Sequence, residues 1–243
     1  MWPGLYLPLV DLTISSYHVL HVVAWFAFYY AGTTLTRSQP DLRRHWVWLV
    51  IGWAMCDTVG ARVAFRWVNG GHSNGYFAAP LLAALFTGAY VVIRQIRAYP
   101  LLDAWAVAFS VAHVFEKAAC LAAGCCFGQA TTSPLGVALH LAYGDPTRVH
   151  PLPLYEMTLH LLTALGLGWL YARGFCRGRL VIILGLVFGV WRAMAELVRG
   201  GRGTSFLDGP FTWTQVACFL AITFSLSYLL ARRGRDSAAG TSA

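Results

Sequence analysis

Seven apolar stretches, each close to the length needed to cross a lipid bilayer, follow one another through this chain with short connections. They run roughly 17–36, 46–66, 76–93, 101–122, 152–172, 180–199 and 211–231 in a chain of 243 residues. A hydrocarbon core about 30 Å thick takes about 20 apolar residues in helical form. Backbone polar groups in lipid must find partners within the spanning segment, which leaves helices as the economical solution. Hydrophobic residues make up 58% of the chain and charged residues only 12%, too few to give every helix a soluble face. The expected fold is all-α: a polytopic membrane protein of about seven transmembrane helices, forming a single domain over 1–231. A short segment at about 123–151 is an insert between the fourth and fifth spans, and 232–243 reads as a disordered tail. The start has no basic n-region, so a cleavable signal peptide is not expected.

The basic residues set the orientation. Arg37, Arg43 and Arg44 follow the first span, Arg94 and Arg97 the third, and Arg173, Arg177 and Arg179 the fifth. Arg232, Arg233 and Arg235 follow the last. These alternate connections hold eleven of the 18 Lys and Arg residues. The positive-inside rule places them in the cytoplasm, with the N-terminus outside, the C-terminus inside and the 123–151 insert extracytoplasmic. A bacterial cytoplasmic (inner) membrane is the expected location. The net charge of +8 then reflects orientation and contact with anionic lipid. Nucleic acid is excluded as a partner, because the basic residues form no single patch.

Ionisable residues inside the spans are the candidates for function, since a charge at bilayer depth is costly. Arg192, Glu196 and Arg199 fall at i, i+4 and i+7, within about 60° on one helical face. Arg199 sits at the outer mouth and Arg192 about 10 Å deeper. The same outer half receives Tyr17, Asp57, Arg62, Arg66, Glu116, Lys117, Tyr155, Glu156 and Gln215. Cations outnumber carboxylates there. An arginine fork with orienting carboxylates suits a phosphate, and the phosphate available in a membrane is a phospholipid headgroup. The competing reading is that Arg192 with Glu196, or Asp57 with Arg62, simply neutralise each other inside the bundle. Arg199 alone fits a snorkelling anchor.

The run from His113 to Gly128 is rich in small residues, and Gly124 and Gly128 permit irregular backbone where it lines a cavity. Cys120, Cys125 and Cys126 invite a metal reading with His113, His140 or His150. The spacing C-x4-C-C does not match the usual zinc pairs, and adjacent cysteines rarely ligate one ion well. Small apolar packing is the expected role, with a disulfide open on an oxidising face. Neither a metal nor another cofactor is expected. His18, His21 and His160 read as buried or interfacial residues.

Four places in order resemble the prolipoprotein diacylglyceryl transferase family. They are Ile14-Ser-Ser-Tyr17-His-Val-Leu; the run from Lys117 through Gly124 and Gly128 to Gly136; His150-Pro-Leu-Pro-Leu-Tyr155-Glu156; and Arg192-x3-Glu196-x2-Arg199 followed by Phe211-Thr-Trp-Thr-Gln215. The chain departs from the family pattern at Lys117 (usually Arg), Cys120 (Asn), Cys125 (Glu) and Pro153 (Gln). It also lacks a His-Gly-Gly turn at the third span, with only His72 near. The resemblance implies transfer of a diacylglyceryl group from phosphatidylglycerol, or another anionic phospholipid, to an acceptor. That acceptor is the lipobox cysteine thiol of a prolipoprotein signal region or a related group, and glycerol phosphate is released. It implies that Arg192 and Lys117 grip the phosphate, Glu196 orients Arg192, and His150 is a candidate base beside His72 and Glu116. Tyr17, Arg62, Arg66, Gly124, Gly128, Tyr155, Glu156, Arg199 and Gln215 would line the substrate. The alternative on the same fold is a non-enzymatic phospholipid-binding or lipid-moving protein.

Overall fold

A computed structural model of the protein describes residues 5–7, 12–59, 78–139, 147–199 and 210–240. Seven helices dominate: α1 Ser16–Leu35, α2 Pro40–Val59, α3 Ala78–Arg94, α4 Ala98–Ala123, α5 Leu152–Arg173, α6 Leu180–Val198 and α7 Trp213–Gly240. Two small antiparallel hairpins add to the all-α expectation. β1 (Leu5–Leu7) pairs with β2 (Leu12–Ile14), and β3 (Val137–Leu139) with β4 (Thr147–Val149). Among the described residues, three helices have both the length and the hydropathy to cross a bilayer: Ala98–Ala123, Leu180–Val198 and the Trp213–Arg232 part of α7. Helix α3, with 17 residues, is apolar but shorter, and α1, α2 and α5, with 20, 20 and 22 residues, fall below that hydropathy.

Two boundaries differ from expectation. The second helix starts at Pro40 rather than near 46, so Arg43 and Arg44 lie in its first turns and not in a loop. Proline at the first helical position and Asp41 in the first turn favour a start there, and such a polar opening is invisible to hydropathy. The last helix continues past 231 to Gly240, where a disordered tail was expected. Arg232 packs its guanidinium 5.8 Å from the Tyr228 ring one turn earlier, which supports continuation of the helix.

Helix α4 is the axis of the bundle, packing against α1, α5 and α6, while α2 packs on α3 and α6 on α7. Its buried face is largely alanine (Ala104, Ala106, Ala108, Ala119, Ala122), which lets neighbouring backbones approach. A second core lies between α1 and α2, where Phe28, Trp46 and Trp53 meet with ring centroids 5.2–5.5 Å apart. Gly32 makes room for it: a Cβ there would fall 1.8 Å from the Trp46 ring. The indole of Trp53 donates to Thr87 Oγ1 of α3 at 2.7 Å. Large apolar side chains such as Phe26, Trp48, Leu162, Leu165, Leu220 and Phe224 face outward, as a lipid-facing surface requires.

Contacts show that successive helices alternate in direction. Tyr171 near the end of α5 donates to the carbonyl of Leu35 at the end of α1. Asp103 near the start of α4 accepts from the backbone N–H of Gly178, just before α6, and from that of Leu180 at 2.9 Å. One end of the bundle therefore holds Arg37, Arg43, Arg44, Arg173, Arg177 and Arg179. A cleft of about 370 Å³ at this end is lined by Tyr29, Thr33, Arg37, Pro40, Arg43, Arg44 and Val47. The start of α5 and the ends of α4 and α6 lie at the other end.

Asp103 is a lone carboxylate in an apolar run, and it accepts from the Leu180 amide that the start of α6 would otherwise leave orphaned and from the Gly178 amide of the preceding turn. Asp103→Ala should destabilise the folded protein by about 2–4 kcal/mol, the cost of two unsatisfied buried donors. A lowered midpoint of thermal unfolding in detergent would register it; an unchanged midpoint would refute the capping role.

Candidate functional site

The end of the bundle opposite the Arg-rich connections is assembled by a short extended segment. After Ala123, Gly124 caps α4 in the left-handed conformation (φ 70°), and the chain turns back toward the bundle. Gly128 N–H then donates to His150 O at 2.8 Å, and Gln129 N–H to Val198 O at 2.8 Å. His150 N–H donates to Gln129 O at 3.1 Å, and Thr131 N–H to Arg148 O at 2.8 Å. Residues 128–131 thus lie between the entry to α5 and the exit of α6, and hold the ends of three helices in register. Gly128 is required by this crossing, since a Cβ there would stand 2.5 Å from Val198 O and 2.7 Å from His150 Cβ.

Two cation–carboxylate pairs lie near this end, one buried and one partly buried. Lys117 Nζ of α4 lies 3.0 Å from Glu156 Oε2 of α5, both side chains almost wholly buried at 6% and 5% exposure. Arg192 Nη1 lies 2.5 Å from Glu196 Oε2 along α6. Cys218 of α7 lies within electrostatic range of both Arg192 and Glu196. The i, i+4 spacing anticipates the second pair. The first joins residues from two helices, α4 and α5, and is a contact that no local spacing encodes.

Arg199 departs from the expected geometry. Helix α6 ends at Val198, and Arg199 takes extended backbone (φ −70°, ψ 133°) and bridges to Gly128. It therefore does not continue the helical face of Arg192 and Glu196, because pairing with 128–129 replaces the next helical turn. Gln129 Nε2 donates to its carbonyl at 3.3 Å. Its Nε is buried without a hydrogen-bond partner among the described residues.

The remaining candidates are placed as follows. His150 Nδ1 lies 3.5 Å from the Tyr155 hydroxyl, at the mouth of α5. Tyr17 stacks on His21 one turn along α1. Asp57 lies 3.7 Å from His21 Nε2, so the histidine faces this carboxylate. Gln215 closes a capping box at the start of α7: Thr212 N–H donates to Gln215 Oε1 at 3.0 Å, and Gln215 N–H to Thr212 Oγ1 at 3.2 Å. That gives Gln215 a helix-starting role. Arg62, Arg66, His72 and His140 lie outside the described residues.

His113 and His160, separate candidates in the sequence, meet in a partly buried aromatic cluster beside Lys117. His113 and His160 have ring centroids 4.7 Å apart, flanked by Phe109 and Phe188. His113 Nδ1 lies 3.2 Å from Glu116 Oε2. The available signals were the His113–Glu116 spacing of three and the position of His160 one turn after Glu156, both of which place them on one helical face.

A sequence model described as prolipoprotein diacylglyceryl transferase matches residues 5–231. The chain belongs to the prolipoprotein diacylglyceryl transferase family. A relative from Clostridium tetani, named phosphatidylglycerol–prolipoprotein diacylglyceryl transferase, is 29% identical over 131 residues. That alignment covers 52% of this chain and 53% of the relative, about half the length of each. In this member of the diacylglyceryl transferase family, Lys117, Glu156, Arg192, Glu196 and Arg199 are all carried by elements that end or begin beside the 128–131 segment.

The Lys117–Glu156 pair makes a stability prediction. Lys117→Ala leaves a carboxylate buried without its cation and should cost about 3–5 kcal/mol. Replacing both partners by apolar groups, as in Lys117→Met with Glu156→Leu, should recover most of that loss. Detergent-solubilised unfolding of the three proteins measures the difference, and equal stability of single and double variants would refute the coupling.

Proposed function

We propose that this protein transfers the diacylglyceryl group of phosphatidylglycerol to the thiol of a lipobox cysteine. The observation that carries the reading is the pair of carboxylate-anchored cations, the buried Lys117–Glu156 and the partly buried Arg192–Glu196, in a bundle of apolar helices. Family membership and the name of the Clostridium tetani relative support it.

The chemistry follows from charge. The acceptor sulfur attacks a glyceryl carbon, and the carbon–oxygen bond to phosphate breaks with its electron pair left on the phosphate oxygen. Negative charge grows on the departing glycerol phosphate. Preorganised cations stabilise that growth most where water is excluded. Glu156 and Glu196 hold Lys117 and Arg192 in fixed orientations, so little reorganisation is needed as charge develops. Arg199 and the Tyr155 hydroxyl supply further donors for the headgroup, and Tyr17 borders it on α1. His150, beside Tyr155, accepts the acceptor proton in this reading. Arg62, Arg66 and Gly124 complete the proposed lining, Gly124 by letting backbone approach the lipid, while Gly128 and Gln215 act on it through the crossing and the α7 cap that they build.

The purified protein, supplied with phosphatidylglycerol and a lipobox peptide, should add one diacylglyceryl mass to the peptide cysteine and release glycerol phosphate. Arg192→Ala should lower turnover by about 100-fold or more, the usual loss when a transition-state charge donor is removed. Wild-type turnover in that variant would sink the clamp. Tight lipid binding with no product from any acceptor would instead support the lipid-binding alternative.

In the same proposal all seven helices cross the bacterial cytoplasmic membrane, with the Arg-rich end inside and the 124–151 segment outside. Cys176 reports on this, being exposed in the turn between α5 and α6. A membrane-impermeant maleimide should label Cys176 in inverted vesicles and not in intact spheroplasts. The opposite pattern would reverse the topology.

A further inference from the structure

The Cys120, Cys125 and Cys126 thiols take no part in the cation pairs, yet the fold gathers them. Along a continuous helix, C-x4-C-C would spread the three side chains over different faces. Here α4 stops at Ala123, Gly124 takes φ 70° and Cys126 takes φ 63°. These two left-handed residues turn the chain back onto the last turn of α4. All three sulfurs then lie within 4.8 Å of one another. Cys120 is buried, and Cys125 and Cys126 are partly buried. Left-handed backbone at a residue with a side chain is sparsely populated and needs surrounding structure to hold it.

The triangle has the dimensions of a thiolate site. Sulfurs bound at about 2.3 Å to one ion stand about 3.8–4.0 Å apart, so modest rotation of the side chains closes the gap. Among the described residues, no histidine or carboxylate joins the group, so a fourth ligand would come from outside this set. Three thiolates around a divalent ion carry a net charge of −1. Arg199 lies within electrostatic range of Cys126, as does Lys117 with its Glu156 partner, and the buried Arg199 Nε has no hydrogen-bond partner among the described residues. The surroundings therefore favour an anionic complex over an isolated cation. All-sulfur donors select soft, thiophilic ions.

We propose that Cys120, Cys125 and Cys126 form a three-thiolate site for zinc(II), with the open position available to an incoming thiol. When that thiol binds, its S–H bond breaks, the sulfur donates the freed electron pair to the metal, and the proton passes to the base, which is His150 in the transfer reading. A coordinating thiol is deprotonated outright, so the site would present a thiolate beside the cations that hold the phosphate. The identity of that thiol as the lipobox acceptor rests on the transfer reading above; metal binding does not.

The test is titration of the reduced, metal-stripped full-length protein in detergent with cobalt(II) as an optical probe. We expect thiolate-to-cobalt charge-transfer and tetrahedral ligand-field bands at one ion per chain, bleached by zinc(II). Cys125→Ser or Cys126→Ser should weaken binding by about 10–100-fold or more, at least the loss seen when a ligand's supporting partner is removed. Cys176→Ser, remote in the α5–α6 turn, should leave binding unchanged. Bands that survive Cys125→Ser, or a disulfide among the three cysteines in protein purified without reductant, would overturn the site. Addition of a lipobox peptide should shift the cobalt bands, and the same peptide with serine for cysteine should not. No shift with the cysteine peptide would overturn the open-position proposal. Absence of lipid transfer with the bands intact would count against the transfer reading and leave the metal site standing.

Discussion

The ion pair between Lys117 and Glu156 is the contact on which the site depends. Both charges are withdrawn from solvent at 6% and 5% exposure, 3.0 Å apart, on the two helices that flank the 124–151 segment. Neither charge is affordable alone in an apolar bundle, because the desolvation of each is offset only by the other. The pair therefore ties the exit of α4 to the entry of α5. It also fixes where the intervening chain must start and finish.

The segment 128–131 converts that tie into a precise layout. Its backbone bonds to His150 and Arg148 on one side and to Val198 on the other, so the entry to α5 and the exit of α6 are set by one extended strand of chain. Gly128 admits the crossing, and Gly124 makes the turn that leads to it. The Arg192–Glu196 pair lies less than two turns before Val198 on α6, so its height at this end follows from the same crossing. The cysteine triangle belongs to this turn as well, since Cys125 and Cys126 occupy the residues between the two glycines.

Local chemistry made much of the fold legible. Apolar runs at 152–172 and 180–199 coincide closely with α5 Leu152–Arg173 and α6 Leu180–Val198, because Gly174 and the short polar turn punctuate them. Arg192 with Glu196 was readable from a spacing of four. Less legible was α2, whose polar first turns sit outside the apolar run. The extended geometry of Arg199 was hidden too, since its hydrogen-bonding partner comes from a segment about 70 positions earlier in the chain. Gln215 read as a lining residue and emerged as half of a capping box, a role its spacing from Thr212 does signal.

By itself, the sequence determined that this chain is a set of apolar helices with most of its basic residues at the margins of alternate apolar runs. Those properties follow from composition and from periodicity along one helix at a time. Tertiary structure alone decided which charges meet across helices: Lys117 with Glu156, His21 with Asp57, and Asp103 with the start of α6. It also decided that three cysteines at an unpromising spacing share one small volume. The reason is physical: helical spacing relates residues within a turn or two, whereas these contacts depend on left-handed turns and backbone crossings that place distant segments side by side.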